Sequence, residues 1–235
     1  KGKVLDVGCG AGAHSLYLQN EKNLEVHSID ISYSAVATCK LRGLKNVHLQ
    51  NILEIDSTTS ANKYDTIFLL MNGTGIFGTL KNTAQYLQKL KSLLKPDGQI
   101  LIDSSDIIYM FDADEDGAYQ IPANGYYGEL QFTLRYKGQK EEPFPWLYLD
   151  YNTLQNAAFA NGLRCELILE GEHYDYLARL TIWKKNWLEK EINFTVTYIK
   201  ETVIIKKSHN RFGLALNWLA KFQNVQIKTI LSEII

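Results

Sequence analysis

The sequence predicts an α/β fold: a doubly wound, mostly parallel sheet of seven strands with a β-hairpin insertion and a C-terminal α+β extension. Three observations lead there. Apolar runs of strand length alternate with segments of helical period over roughly the first hundred residues, the pattern of consecutive βαβ units. A glycine-rich turn, Gly8-Cys9-Gly10-Ala11-Gly12, joins the first strand to the first helix. The alternation breaks at Asp106 and again near residue 186, which separates a core domain (1–185, with an insertion over 106–146) from an extension over 186–235.

Each element has its own signal. Val4 to Val7, Glu25 to Ile31, Asn46 to Gln50 and Tyr64 to Met71 are apolar runs of strand length. His14 to Gln19 and Tyr33 to Arg42 have helical period, the second with Ala35, Val36 and Cys39 on one face. Leu80, Leu87, Leu90 and Leu94 mark a longer helix that stops at Lys95-Pro96-Asp97-Gly98, and Gln99 to Asp103 is the fifth strand. In the insertion, Glu129 to Tyr136 alternates apolar and polar residues before a turn at Lys137-Gly138. Tyr151 to Asn161 is a helix closed by Gly162, and Arg164 to Leu169 and Tyr174 to Trp183 are two strands joined at Glu170-Gly171-Glu172-His173. Beyond them come an alternating segment with Phe194, Val196 and Tyr198, an apolar helix around Arg211 to Phe222 and a last short strand.

Composition excludes several classes of function. Hydrophobic residues are 46% and charged residues 22%, as in a globular protein with a sizeable core. The formal net charge is −1, with no basic run of the kind that tracks phosphates, so nucleic acid is not an expected partner. No segment reaches the roughly 18–20 apolar residues of a membrane span, and no leader precedes the first strand, so a soluble, cytoplasmic protein is expected. Cys9, Cys39 and Cys165 are odd in number and lack ligand spacing, so neither a disulfide framework nor a metal site is expected. The chain opens on Lys1-Gly2-Lys3 with no initiator Met, and a preceding segment is therefore expected.

Strand, glycine turn and helix start over Val4 to Gly12 let backbone amides approach a ligand that a Cβ would keep away. With Ala13 the turn also satisfies the dinucleotide fingerprint, and Asp30 stands about 20 residues on, where a ribose-binding carboxylate belongs in either reading. Asp6 favours a cofactor that is cationic at this point, because a carboxylate ending the first strand would repel a pyrophosphate. Here the chain resembles the class I S-adenosylmethionine-dependent methyltransferases, which are Rossmann-like. Val4 to Gly12 is similar to their motif I and Asp30 to their motif II acid. Lys63-Tyr64-Asp65 resembles motif IV, and Leu93 to Ile102 resembles their LLKPGG segment.

The resemblance covers about residues 1–184 and implies S-adenosyl-L-methionine as cofactor. It makes Asp6, Gly8, Gly10 and Gly12 the methionine and loop contacts, Asp30 the acceptor for the ribose hydroxyls and Ile31 an apolar wall against adenine. Asn51 and Ile52 would flank the adenine edge, with the Asn51 amide oxygen replacing the family's usual Asp, and Met71, Asn72 and Gly73 would lie beside the methyl group. Met71-Asn72-Gly73-Thr74-Gly75 is not the Asn/Asp-Pro-Pro-Tyr/Phe segment of base methyltransferases, so a small-molecule acceptor under the insertion is expected, its atom (oxygen, nitrogen or carbon) left open.

Catalytic candidates come from position. His173, Asp106 and Asn72 all follow carboxyl ends of strands, where such sheets bind ligands, and histidine is the side-chain type suited to act as a base near neutrality. Each has an ordinary counterpart: a polar turn is polar for solvation, and a residue ending a strand is often only a cap. Cys9 reads as a small filler inside the loop, and His14, His27 and His48 as structural histidines. Two other classes of function remain, a nicotinamide-dependent oxidoreductase and a non-catalytic methyltransferase-like binding module. The apolar set Phe194, Val196, Tyr198, Leu214, Leu216, Trp218 and Leu219 is expected to pack on the domain or to pair two copies into a homodimer.

Overall fold

In the computed structural model, residues 2–115, 119–121, 125–183, 195–199 and 202–206 are described. The first strand, β1 (Val4–Val7), is buried at all four positions, as befits the centre of a parallel sheet covered on both faces. It is followed by α1 (Ala13–Asn20), β2 (Val26–Asp30), α2 (Tyr33–Leu41), β3 (Val47–Leu49), β4 (Tyr64–Leu69), α3 (Thr83–Leu93) and β5 (Leu94–Ser105). After the insertion come α4 (Tyr151–Ala160), β10 (Leu163–Glu170) and β11 (Asp175–Ile182). The seven strands lie in the order β10-β11-β5-β4-β1-β2-β3, parallel except that β11 runs against both neighbours. The sequence reverses direction on the two sides of β1, which makes the carboxyl ends of β1 and β4 the topological switch point.

The core follows from the apolar spacing. Leu87, Leu90 and Leu93 put one face of α3 onto Ile67, Leu69, Ile100 and Ile102 of β4 and β5, all buried in one cluster with Leu154 and Ala158 of α4. Helix starts are written locally: Ser32 accepts from the Ala35 amide and Asp150 from the Thr153 amide. Gly162, with φ of 72°, ends α4 as expected.

Two elements differ from expectation. Lys95-Pro96-Asp97-Gly98 does not separate helix from strand; β5 already pairs with β4 at Leu94, and the register then shifts before Gln99 meets Thr66. Pro96 has no amide to donate and a Cβ on Gly98 would fall 2.8 Å from the Tyr64 carbonyl oxygen, so the chain crosses close to β4 as a bulge. In the insertion, Glu129 to Tyr136 is two strands: β6 (Glu129–Phe132) pairs with β9 (Phe144–Leu147), and β7 (Arg135–Tyr136) with β8 (Gln139–Lys140). The turn between β7 and β8 is Lys137-Gly138, both at positive φ, as a two-residue hairpin requires.

The chain divides into two compact units, Lys1–Trp183 and Lys184–Ile235. In the second, β12 (Thr195–Ile199) pairs antiparallel with β13 (Thr202–Lys206). The helix expected around Arg211 to Phe222, and Phe194, Leu214, Leu216, Trp218 and Leu219 with it, lie outside the described residues.

Candidate functional site

At the carboxyl end of β1 the glycine turn is held by β2: the Gly8 and Cys9 amides donate to the Ile29 carbonyl at 2.9 and 3.1 Å, and the Gly12 amide to the Cys9 carbonyl at 2.8 Å. Gly8, Gly10 and Gly12 all have positive φ. Space separates their duties. A Cβ on Gly8 would strike Ile76 at 2.9 Å and one on Gly12 the Cys39 sulfur at 2.9 Å, whereas one on Gly10 would meet nothing within 4 Å. Gly8 and Gly12 are therefore glycines for packing, and Gly10 leaves the open cradle that a ligand backed by main-chain amides requires.

Asp30 ends β2 against this cradle. Its Oδ2 accepts from the Gly10 amide at 2.9 Å and its Oδ1 from the Ser32 amide at 2.8 Å, which leaves one lone pair on each oxygen for a further donor. Ile31 beside it is 78% exposed, an apolar side chain with no protein surface to cover it. Asn51 caps the short turn Ile52–Glu54: its Oδ1 accepts from the Leu53 amide at 3.0 Å, so the oxygen assigned to adenine is already half engaged. Ile52 is 3% exposed and belongs to the core cluster.

Asp6 is placed differently from the expectation that it contacts a methionine group. It is 3% exposed, beneath the loop, where its Oδ2 accepts from the Ser15 hydroxyl at 2.5 Å and Ser15 in turn meets the Ser28 hydroxyl at 2.7 Å. Burial pushes its carboxyl above the usual carboxylate range. Asp6 thus braces β1, α1 and β2 from within, a role the sequence hides because Ser15 and Ser28 carry no motif. Burial also pushes the Cys9 thiol up, against thiolate chemistry, and its sulfur lies 3.9 Å from that of Cys39.

Across the switch point, β4 ends in a tight turn. Met71 and Asn72 both have positive φ, of 68° and 60°, a conformation costly for a residue with a Cβ. Asp103 of β5 holds it: its two oxygens accept from the Met71 amide at 3.0 Å and the Gly73 amide at 2.9 Å. The Asn72 side chain turns inward, its oxygen accepting from the Ser104 hydroxyl at 3.0 Å and its nitrogen 3.4 Å from the Leu147 carbonyl. Asn72 thus ties the turn to β5 and to the end of the insertion. Met71, by contrast, is 78% exposed.

The insertion docks on this turn. A Cβ on Gly75 would lie 2.0 Å from Trp146, Thr74 donates to the Leu147 carbonyl at 3.0 Å, and Glu129 accepts from the Leu80 amide at 2.8 Å. Beyond β5 lies a cavity of about 550 Å³ lined by Asp106, Asp150, Glu170, Glu172 and Asp175 with Tyr151, Tyr174 and Tyr176. Its described lining contains no Lys, Arg or His. Asp106 lines it as an acceptor: it takes the Tyr127 hydroxyl at 2.8 Å and the Ile108 amide at 2.9 Å. Burial and that carboxylate raise the Tyr127 hydroxyl's pKa, so it stays a donor.

His173 does not join them. It is exposed at the β10–β11 turn, the hydrogen bond it makes there is from its main chain to Asp175, and it is absent from the cavity lining. Its neighbours Gly171, Glu172, Tyr174 and Asp175 line the cavity, while His173 itself does not. The cavity wall is formed by Asp150 and the tyrosines, which the sequence did not single out, and His173 is not part of it.

Known proteins agree with this architecture. The family described as a methyltransferase domain matches residues 1–140. A SAM-dependent methyltransferase from Bacteroides fragilis, solved in complex with S-adenosyl-L-homocysteine, is 48% identical and superposes with a TM-score of 0.70 over 78% of this chain and 73% of its own. Two curated relatives, tRNA U34 carboxymethyltransferases from Pseudoalteromonas translucida and Pseudoalteromonas atlantica, are each 29% identical over 107 and 105 residues, 43% of this chain. The chain spans 31% of the length of those relatives. With the family matched over more than half its residues, the chain belongs to the class I S-adenosylmethionine-dependent methyltransferases.

Proposed function

We propose that this chain transfers the methyl group of S-adenosylmethionine to a small-molecule acceptor that carries positive charge. The observation that carries the reading is the open cradle at Gly10 with the Asp30 carboxylate against it, at the switch point of the sheet. The residues fit the cofactor: Asp30 keeps a lone pair on each oxygen for two ribose hydroxyls, Ile31 offers an apolar face to a base, and the loop amides lie without a Cβ between them and the ligand. A bound S-adenosylmethionine supplies a methyl group on a cationic sulfur. The chain's own work is alignment and exclusion of water, done by the Met71–Gly73 turn and the insertion docked upon it.

The acidic, tyrosine-lined cavity supports the acceptor class. Five carboxylates without a cation among the lining residues attract an ammonium-type group and repel a phosphate backbone, and tyrosine faces add attraction for a cation. This favours a small cation over tRNA, the molecule in the name of the distant curated relatives. The nicotinamide reading is not favoured, since no feature of the chain requires it and the family is a methyltransferase one.

The test is to incubate the protein with S-adenosylmethionine labelled in its methyl group and either a metabolite extract split on a cation-exchange column or total tRNA. Label is expected in a compound retained on the column. Label entering tRNA instead would overturn the small-molecule assignment and favour the activity of the curated relatives.

A further inference from the structure

We propose that Asp103 is a positioning residue for the methyl-donating end of the cofactor, acting through the strained turn at the end of β4. The inference rests on the methyltransferase reading above and assigns a role to a residue outside the glycine loop. Three observations meet at this carboxylate. Met71 and Asn72 are consecutive left-handed residues without glycine's freedom, a combination that persists only where the surroundings over-determine it. Asp103 supplies that constraint with one oxygen on each flanking amide, Met71 and Gly73. Ile76, four residues after Asn72 in the sequence numbering, closes against Gly8, so the same segment forms the β4-side wall of the cradle.

The direction of the cofactor follows from the two sides of that cradle. Asp30 holds the β2 side, and the acceptor cavity lies beyond β5 on the opposite side. A methyl group can meet an acceptor there only if the ribose lies toward β2 and the sulfur end toward β4. The Met71–Gly73 turn therefore borders the sulfur and amino-acid end, and Asp103 fixes its backbone before the ligand arrives. A carboxylate suits the task because both of its oxygens accept; an amide of the same shape would turn an NH2 toward one of the two N–H groups.

The prediction separates two ligands. S-adenosylhomocysteine has the amino-acid end, whereas 5′-methylthioadenosine keeps the adenosine and sulfur but lacks it. By titration calorimetry, Asp103→Asn should weaken S-adenosylhomocysteine about tenfold, the worth of one hydrogen bond to a charged acceptor, and 5′-methylthioadenosine less than about twofold. Asn72→Ala, which loosens the same turn from the Ser104 side, should show the same selectivity and decides the matter if Asp103→Asn does not fold. Leu163→Ala, a buried position on β10, provides a variant of reduced stability in which the ratio of the two affinities should stay at the parent value. Equal weakening of both ligands, or an unchanged ratio in both turn variants, would overturn the role of Asp103. A parent protein that binds neither ligand would overturn the cofactor assignment first, and this inference with it.

Discussion

The two sides of the switch point are assembled over very different lengths of chain. On the β2 side, Ser15 reaches Asp6 across 9 residues and Gly10 reaches Asp30 across 20, all within the first βαβ unit. On the β4 and β5 side, Gly73 reaches Asp103 across 30, Leu80 reaches Glu129 across 49, and Thr74 and Asn72 reach Leu147 across 73 and 75. The difference teaches where each half gets its rigidity. The β2 side is set by local geometry that a short segment can adopt, while the β4 and β5 side carries its contacts to the insertion, with the loop-closure cost that non-local contacts carry.

The comparison can be broken from either side. Asp30→Ala should produce the largest effect, weakening S-adenosylhomocysteine by roughly 1.5–3 kcal/mol in calorimetry, the range for hydrogen bonds to a charged acceptor. Hydrogen exchange in β6 and β9 should be unchanged in that variant, and faster exchange there would show that the two sides are not independent. Gly75→Ala attacks the other side. Its Cβ would enter the Trp146 ring, so stability should fall by about 1–3 kcal/mol, as for other overpacked sites, with β6 and β9 losing protection first. If that variant melts like the parent, Trp146 is not the anchor of the insertion.

The smallest effect sharpens the account of the cofactor side through pH. Asp6 has its folded pKa raised by burial above the unfolded value of 3.8, so between those two values the native state holds the extra proton. Stability contributed by this group is greatest at low pH and is lost as pH rises through the folded pKa. Asp6→Asn removes the titratable group, so the Tm of the ligand-free variant relative to the parent should rise as pH is raised toward 7, by no more than about 4 °C, equivalent to ~1 kcal/mol in a chain of this size. The rise should be lost as melts are taken toward pH 4. A relative Tm that falls as pH is raised would mean that the Ser15 bond outweighs the burial of the charge.

The same contrast explains what could be read from the sequence. The alternation of strands and helices, the glycine turn and the place of Asp30 at the end of β2 were legible because they lie in spacing: a turn that needs Gly10 to be open and an acid about 20 residues on. Leu87 and Leu90 likewise located α3, whereas Leu80 lies in a separate short turn before it and Leu94 opens β5. What spacing could not give was direction. Asp6 and Ile52 sit at motif positions yet point into the core, and Asn72 ends β4 yet turns toward Ser104. Asp103 was visible only as an acid ending a strand; its hold on Met71 and Gly73 depends on β5 pairing with β4. The Asp150, Tyr151 and Tyr176 wall brings together α4 and β11 at the acidic cavity, and no local pattern announces it.

The central claim is that the cradle over Gly10 and Asp30 holds an adenosyl cofactor of the methyl-donor kind. A thermal melt in saturating S-adenosylhomocysteine beside one in NAD tests it most directly, because a ligand that binds the native state raises its stability by RT ln(1 + [L]/Kd). The account predicts a higher Tm with S-adenosylhomocysteine, diminished in Asp30→Ala, and no shift with NAD. A shift with NAD and none with S-adenosylhomocysteine would contradict it.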